Sequence, residues 1–439
     1  MVQIKKHKFI AIILLLGFIV SISSAFYFQI KPSVDAKAYD SIAWSLVQGT
    51  GYTETTSPIP DSAIGRLGPG YEFFLAAIYR VFGHKIWVVW IIQSLLHTVS
   101  AFLVYRLIRR LYIEDNAEKF AALGAGFYIF FIDLLEFPAM LLTETLYLFL
   151  VLLGLNFAFS MWEKPVQSNV LATSIIFTLA ILVRPPVTIL VLVALGFLIY
   201  KRFWSYTAIF VVTAVIILTP WTVRNYLKYH LFIPTTYIIG YDLWVGNSPG
   251  SKYIGELTAT DEINQYSSEK GVFAANERGK KEFLKLIMKQ PFEFIKLQLT
   301  KISIYFSAAR PAAFWFHLSG TSQLLTIILS SSFFFVISAF GLSGLWLYIK
   351  KRDLISRMMV LATLAAPAGI IWIVAETRYR YQIYPMMIIL GVIFLAELLK
   401  SPKIHARILF IIAFIIASNT VFDAVRNIPR LAERLQRLF

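Results

Sequence analysis

Apolar residues occur in this chain as long uninterrupted runs that are separated by short polar clusters. A helix needs about 20 apolar residues to cross a bilayer, whereas a membrane-spanning strand needs about 10 that alternate in character. The first run, 9–29, is longer than the roughly 7–15 residues of a signal-peptide core, so we expect a retained anchor. The pattern predicts an all-α polytopic membrane protein with about eleven spans, over 9–29, 86–108, 119–134, 143–162, 169–183, 187–200, 204–220, 323–349, 358–375, 382–399 and 407–424.

Two long polar stretches, 31–85 and 224–322, interrupt the series of apolar runs. The first contains Gly and Pro turn signals, with helix-like segments at 36–48 and 71–82. The second predicts a helix over about 274–288 and an amphipathic helix over 292–306. One face of the amphipathic helix is apolar and consists of Phe292, Ile295, Leu299, Ile302 and Phe306, while Lys296 and Lys301 lie off it. We expect this helix to rest in the membrane interface.

The chain accordingly divides into three parts. These are a membrane module over 1–220 that includes the first polar loop, a loop region over 221–322, and C-terminal spans with a basic tail over 323–439. The side of the membrane on which the tail lies stays open, because it also fits an interfacial amphipathic helix.

Composition supports the membrane assignment and excludes several classes of protein. The 439 residues are 58% hydrophobic and 15% charged, against about 45–50% and about 25% in soluble domains. The absence of cysteine excludes disulfides, thiolate metal sites and cysteine nucleophiles. The net charge of +16 comes largely from Lys and Arg clusters between the apolar runs, which indicates topology and not nucleic-acid binding. With these clusters and the N-terminus in the cytoplasm, both polar stretches lie on the extracytoplasmic side.

Five arginines then lie outside, against the positive-inside bias, and this distribution favours an anionic ligand on that face. They are Arg66, Arg184, Arg224, Arg378 and Arg380. Arg66 precedes a Gly68-Pro69-Gly70 turn, which holds the backbone close to whatever packs above it. The alternative for each arginine is an interfacial or snorkelling side chain.

Several carboxylates near the outer ends of the spans also require an explanation. Asp35 and Tyr39 are four residues apart and share a helix face, so Asp35 fits either a general base or a charge that complements the helix dipole. Glu144 follows Thr143 at the start of the fourth span, with the same two interpretations. Asp133 and Glu136 are further candidates, because carboxylates at membrane depth are costly. The histidines lack zinc-ligand spacing.

Together these segments resemble the membrane glycosyltransferases of the GT-C superfamily, and most closely the protein O-mannosyltransferase and aminoarabinose-transferase clan (family 39-like). The similar motifs are Val34-Asp35-Ala36-Lys37-Ala38-Tyr39-Asp40, Arg66-Leu67-Gly68-Pro69-Gly70-Tyr71-Glu72, Thr143-Glu144, Leu182-Val183-Arg184-Pro185, Pro220-Trp221-Thr222-Val223-Arg224-Asn225, Gly246-Asn247 and Arg378-Tyr379-Arg380. Gly68 and Glu72 replace prolines that are usual in the family. Ala36 replaces a second acid that many relatives carry, so a divalent metal is possible but not supported.

The resemblance implies a GT-C fold and the inverting transfer of a sugar from a polyprenyl-phosphate-linked donor to a glycan, lipid or protein acceptor. It implies an active site on the outer face of the plasma (bacterial inner) membrane, with membrane lipids as further partners and no cofactor. The expected catalytic residues are Asp35 as base and Glu144 as its support. The expected phosphate-binding residues are Arg378, Arg66, Arg224 and Arg380, and the expected pocket residues are Tyr39, Tyr71 and Arg184.

Two other functions share many of these features. A flippase or transporter of lipid-linked sugars also needs an apolar groove and arginines, but it should carry ionisable residues at mid-span. A polymerase or ligase of lipid-linked glycans would share most of the same motifs.

Overall fold

The computed structural model describes residues 2–248, 260–310 and 317–428, with side chains from residue 8 onward. The described residues form α-helices, short 3₁₀ turns and loops, without a β-strand. The helices are α1 Val2–Phe28, α2 Asp35–Gln48, α3 Pro69–Phe82, α4 Ile86–Leu111, α5 Ala117–Ile129, α6 Ile132–Leu135, α7 Glu144–Glu163, α8 Gln167–Val183, α9 Thr188–Tyr200, α10 Trp204–Tyr229, α11 Ile239–Asn247, α12 Asp261–Lys289, α13 Pro291–Tyr305, α14 Gly320–Lys350, α15 Leu354–Ile371, α16 Tyr384–Lys400 and α17 Pro402–Arg426.

Each predicted apolar run corresponds to a helix, and the all-α prediction is confirmed. Within the described residues, seven helices are long and apolar enough to cross a membrane, or eight with one bent pair. The bent pair corrects the predicted span 119–134. Its first helix, α5, ends at Ile129, and the chain turns by 58° before the helical segment Ile132–Ala139.

The helix predicted to end at 220 is longer than expected. Helix α10 continues through Pro220 to Tyr229, so the boundary drawn after residue 220 falls inside a helix. A proline removes only one backbone donor, and a long helix tolerates that loss at the cost of a local distortion. As a result, Trp221 and Arg224 lie on the last turns of α10 and not in a loop.

Helices α14 and α16 pack closely against each other, and glycine makes this contact possible. A Cβ on Gly344 would lie 2.2 Å from the Leu390 carbonyl oxygen, and one on Gly341 would lie 2.8 Å from the Met387 Cα. Small residues let two helix backbones approach in a membrane, where close packing replaces the hydrophobic effect as the source of stability. Helix α16 is thereby fixed at the centre of the bundle, directly after the segment that carries Arg378.

The predicted loop helices are present as α2, α3, α12 and α13. Helix α12 starts earlier than expected and contains a kink at Gly271, where φ is 81°. In α13 the predicted apolar face is exposed at Phe292, Ile295, Leu299 and Ile302, as a helix lying in the membrane interface requires. Lys296 is exposed, but Lys301 is buried inside the protein.

The two polar stretches pack against each other at one end of the helix bundle. The Thr236 hydroxyl donates to the Ile64 carbonyl oxygen at 2.9 Å, and the Tyr237 amide donates to the same oxygen at 3.0 Å. Beyond α13, Arg310 forms a bidentate ion pair with Asp423 of α17 at 2.7 and 2.9 Å. Most of the predicted basic tail, 429–439, lies outside the described residues. The first loop, the second loop and the segment before α16 thus form one polar layer.

Candidate active site

Asp35 lies in this layer between two guanidinium groups. It is the first residue of α2 and follows Val34, whose φ of 43° is unusual for a β-branched residue; such backbone strain tends to occur at functional sites. Its Oδ1 lies 3.4 Å from Arg66 Nη1, and its Oδ2 lies 3.6 Å from Arg378 Nη2. With 30% of its side chain exposed, the Asp35 carboxylate is both charge-compensated and accessible.

Arg66 is oriented by Glu54, a residue that the sequence motifs did not single out. Arg66 Nε donates to Glu54 Oε2 at 2.9 Å, and Nη2 donates to Oε1. The Glu54 side chain is only 2% exposed. This bidentate pair fixes the guanidinium plane, which leaves Nη1 directed at Asp35.

The turn after Arg66 brings α3 directly against the end of α8. A Cβ on Gly68 would lie 2.3 Å from the Leu182 carbonyl oxygen, and one on Gly70 would lie 2.9 Å from the Leu182 carbonyl carbon. Only glycine allows this approach. The turn therefore ties the first loop to the residues that immediately precede Arg184.

Arg378 occupies a 3₁₀ turn, Thr377–Gln382, between α15 and α16. The arginine is 7% exposed, and its Nη2 donates to the Tyr379 hydroxyl at 3.0 Å. Glu376 Oε1 is 3.9 Å from Arg378 Nε. Arg378 and Arg66 thus contact different oxygen atoms of the Asp35 carboxylate.

Glu144 and Arg184 form a buried ion pair beside this centre. Arg184 Nη2 donates to Glu144 Oε1 at 3.0 Å, and Arg184 Nε donates to Thr143 Oγ1 at 2.6 Å. The guanidinium carbon lies 5.1 and 5.4 Å from the ring centroids of Tyr379 and Tyr381. The Glu144 side chain has no exposed surface, so its carboxylate faces Arg184 and not the solvent. It supports Arg184 and, through Arg184, the tyrosines that flank Arg378.

Tyr39 and Tyr71 form the buried wall next to Asp35. Their rings meet edge to face with centroids 5.6 Å apart. The Tyr71 hydroxyl donates to Gln93 Oε1 at 2.9 Å, and Gln93 Nε2 donates to the carbonyl oxygens of Pro138 and Met140 at 3.0 and 2.7 Å. Gln93, on α4, fixes this wall to the bent segment after α5.

Arg380 points away from Asp35 and contacts other groups. Its Nη1 donates to the Ser307 carbonyl oxygen at 2.6 Å, its Nε to the Thr377 carbonyl oxygen at 3.2 Å, and its Nη2 to the Arg310 carbonyl oxygen. The side chain has no exposed surface. These contacts use the guanidinium nitrogens that would have to bind a phosphate. Arg380 therefore does not take the phosphate-binding role that the sequence predicts.

Arg224 likewise makes its contacts with residues other than Arg66, Arg378 and Asp35. Its guanidinium carbon lies 5.0 Å from the Trp221 ring centroid and 5.5 Å from that of Tyr52, and Nη1 donates to Asn225 Oδ1 at 2.8 Å. It therefore joins α10 to the first loop through aromatic contacts.

Two acidic residues that sequence reasoning did not assign lie near this centre. Burial, together with the charges of Asp35 and Glu376, raises the pKa of Asp242 on α11 to about 7. Burial also raises the pKa of Glu72 to about 8, and this residue has no exposed surface. Asp242 lies in the irregular first part of the second loop, which shows no marked periodicity, so only its position in space reveals it.

The remaining carboxylate candidates lie around the bent segment. Asp133 Oδ2 accepts a hydrogen bond from the Tyr384 hydroxyl at 3.2 Å, and Glu136 Oε1 lies 3.4 Å from His317 Nδ1. Throughout the described part of the chain, no three His, Asp or Glu side chains are arranged to hold a metal ion.

One family model and several solved structures are similar to this chain. The model of a family described as dolichyl-phosphate-mannose-protein mannosyltransferase matches residues 66–223, less than half of the chain. The crystal structure of ArnT from Cupriavidus metallidurans bound to undecaprenyl phosphate superposes with a TM-score of 0.54 at 13% identity, over 94% of this chain and 64% of ArnT. The chain has the GT-C fold.

A second GT-C structure, the Archaeoglobus fulgidus oligosaccharyltransferase tethered to an acceptor peptide containing the NVT sequon, gives a TM-score of 0.52 at 13% identity. That match covers 94% of this chain and 54% of the oligosaccharyltransferase. A search of curated protein sequences gives no match. The chain thus spans about two thirds of the length of ArnT and about half of the length of the oligosaccharyltransferase. The likeness confirms the predicted fold and a multi-pass membrane protein.

Proposed function

We propose that this GT-C protein is an inverting glycosyltransferase that moves a sugar from a polyprenyl-phosphate-linked donor to an acceptor on the extracytoplasmic face. The observation that carries the proposal is the Asp35 carboxylate between the guanidinium groups of Arg66 and Arg378, at one end of an apolar helix bundle. The family match, and the undecaprenyl phosphate bound to ArnT, support a lipid phosphate as the carrier of the sugar.

The two guanidinium groups suit the phosphate of such a donor. Guanidinium forks bind phosphate and carboxylate with the same bidentate geometry. Arg66 would stay oriented through its Nε and Nη2 bonds to Glu54, while its Nη1, together with Arg378, becomes available to the phosphate. The polyprenyl chain would remain in the bilayer beside the bundle, so that only the phosphate and the sugar enter the polar layer.

The reaction requires one base and stabilisation of the leaving group. The acceptor hydroxyl or amine gives its proton to Asp35 and bonds to the anomeric carbon, on the side opposite the phosphate. The bond between the anomeric carbon and the phosphate oxygen breaks, and its electron pair leaves with the polyprenyl phosphate. The guanidinium groups stabilise that anion, so a general acid is not needed. Attack from the opposite side inverts the configuration of the sugar.

In this proposal Tyr39 and Tyr71, which are almost fully buried, pack behind the sugar pocket beside Asp35. Glu144 acts indirectly, since its carboxylate holds Arg184 and thereby the Tyr379 and Tyr381 rings next to Arg378. Arg184 is a positioning residue in the same sense.

The test is a transfer assay with purified protein in vesicles made from the cell-envelope extract of the producing cell, which supplies both the polyprenyl-phosphate sugars and the acceptors, with release of free polyprenyl phosphate measured by mass spectrometry. Asp35→Asn should lower the rate by about 10²–10⁴, the usual contribution of a general base. Asp61→Asn changes a carboxylate of the same loop that pairs with Lys228, and it should have little effect. Near-normal release with folded Asp35→Asn would exclude the base. Movement of the intact donor across the vesicle by the wild-type protein, without any release, would instead identify a flippase.

A further inference from the structure

A buried lysine lies next to the segment that carries Arg378. Lys301, on the inner side of α13, is 1% exposed. Its Nζ donates to Asn247 Oδ1 at 2.6 Å, to the Ile373 carbonyl oxygen at 3.3 Å and to the Trp372 carbonyl oxygen at 3.4 Å. The three protons of the ammonium group thus meet three oxygen atoms. Burial lowers the pKa of Lys301 to about 7.

The two carbonyl groups belong to the end of α15. Helix α15 stops at Ile371, and the amides of residues 373 and 374 both bond to the Ile370 carbonyl oxygen. Carbonyl groups just beyond a helix C-terminus lack helical partners and carry the negative end of the helix dipole. A positive charge at this position therefore stabilises the helix end and fixes the direction in which the chain leaves it.

Asn247 joins the same group of contacts from α11. Its Nδ2 donates to the Trp372 and Ile373 carbonyl oxygens at 3.1 and 3.3 Å, and its Oδ1 also accepts from Gln298 Nε2 at 2.9 Å. At Gly246 an added Cβ would lie 1.9 Å from the Ile373 carbonyl oxygen, so glycine is required for this approach. The Gly246-Asn247 motif, to which the sequence assigned no chemistry, is thereby explained as a contact with the end of α15.

We propose that Lys301 is a positioning residue for Arg378. Its ammonium group and Asn247 hold the end of α15 against α11 and α13, and this contact sets the path of the four residues between Ile373 and Arg378. Helix α13 also carries the exposed apolar face that the sequence predicts to lie in the membrane interface. The role of Arg378 toward the donor phosphate rests on the proposed function, whereas the positioning itself does not.

The first measurement is hydrogen–deuterium exchange of the full chain in lipid nanodiscs, which does not depend on any substrate. In Lys301→Met the amides of residues 372–380 should exchange at least about tenfold faster, because hydrogen bonds to a charged group are lost. Lys296→Met removes an exposed lysine from the same helix and should leave this segment unchanged. Unchanged exchange at 372–380 in Lys301→Met, or equal acceleration over the whole chain, would overturn the proposal.

A chemical rescue separates the ammonium group from simple space filling. Because the chain has no cysteine, Lys301→Cys introduces a unique thiol. Alkylation with 2-bromoethylamine restores an ammonium group at the length of lysine, whereas bromoethane gives a shorter neutral side chain. Protection of 372–380 and the affinity for undecaprenyl phosphate should return only with the ammonium group. Equal rescue by both adducts would refute the role of the charge. Absence of undecaprenyl phosphate binding by the wild-type protein would count against the proposed function alone.

Discussion

The Glu144–Arg184 ion pair is buried so completely that the loss of one charge has a calculable effect. The side chains are 0% and 3% exposed, and their nearest atoms are 3.0 Å apart. Removing one partner of such a pair costs about 3–5 kcal/mol, because the other charge stays buried without compensation. Removing both charges costs much less, since no uncompensated ion remains.

We therefore expect Glu144→Leu and Arg184→Met each to lower the free energy of unfolding by about 3–5 kcal/mol. The double variant should lose less than either single variant. Denaturant unfolding in detergent micelles, analysed as a double-mutant cycle, measures this coupling. Additive losses, or single losses below about 1 kcal/mol, would refute the buried-pair account.

The same pair distinguishes support from direct catalysis by Glu144. Glu144→Gln keeps the shape and the acceptor oxygen but removes the charge. If Glu144 acts through Arg184, stability and transfer should fall together. Loss of transfer at unchanged stability would show instead that the Glu144 carboxylate contacts the reacting groups.

Three further predictions follow from individual contacts. Gly68→Ala should destabilise the fold by about 1–3 kcal/mol, because its Cβ would meet the Leu182 carbonyl oxygen at 2.3 Å, whereas Gly196→Ala, with open space around it, should not. Arg378→Ala should weaken undecaprenyl phosphate binding at least about tenfold in a titration, and Arg224→Ala should leave binding nearly unchanged. The pKa of Asp242 rises from 3.8 to about 7 on folding, so its contribution to stability is present below pH 3.8 and is lost as the pH rises to about 7. Asp242→Asn should remove this loss, and the unfolding free energy of the variant should fall less than that of the wild type between pH 4 and pH 8.

The helices could be predicted from sequence because each depends on a local run of apolar residues. The same holds for α2, α3 and α13, whose polar and apolar residues recur with helical spacing. The break after Ile129 could not be predicted, since the residues on both sides are apolar and the 58° turn depends on tertiary packing.

The candidate site was predictable only in part. Arg378 and Arg380 look equivalent in sequence, yet they lie two positions apart in a 3₁₀ turn and point in different directions. Asp35 was suggested by its position after the first span. Glu54, Asp242 and Lys301 had no comparable signal, because each gains its partners from segments that are distant in sequence or irregular in structure.

In the proposed mechanism a polyprenyl phosphate binds between Arg66 and Arg378 with its sugar facing Asp35. The most direct test is an experimental structure of the protein in nanodiscs loaded with undecaprenyl phosphate. We expect phosphate density about 2.7–2.9 Å from guanidinium nitrogens of both arginines, with Asp35 released from at least one of its ion pairs. Phosphate bound elsewhere, with the contacts of Asp35 to Arg66 and Arg378 unchanged, would contradict this mechanism.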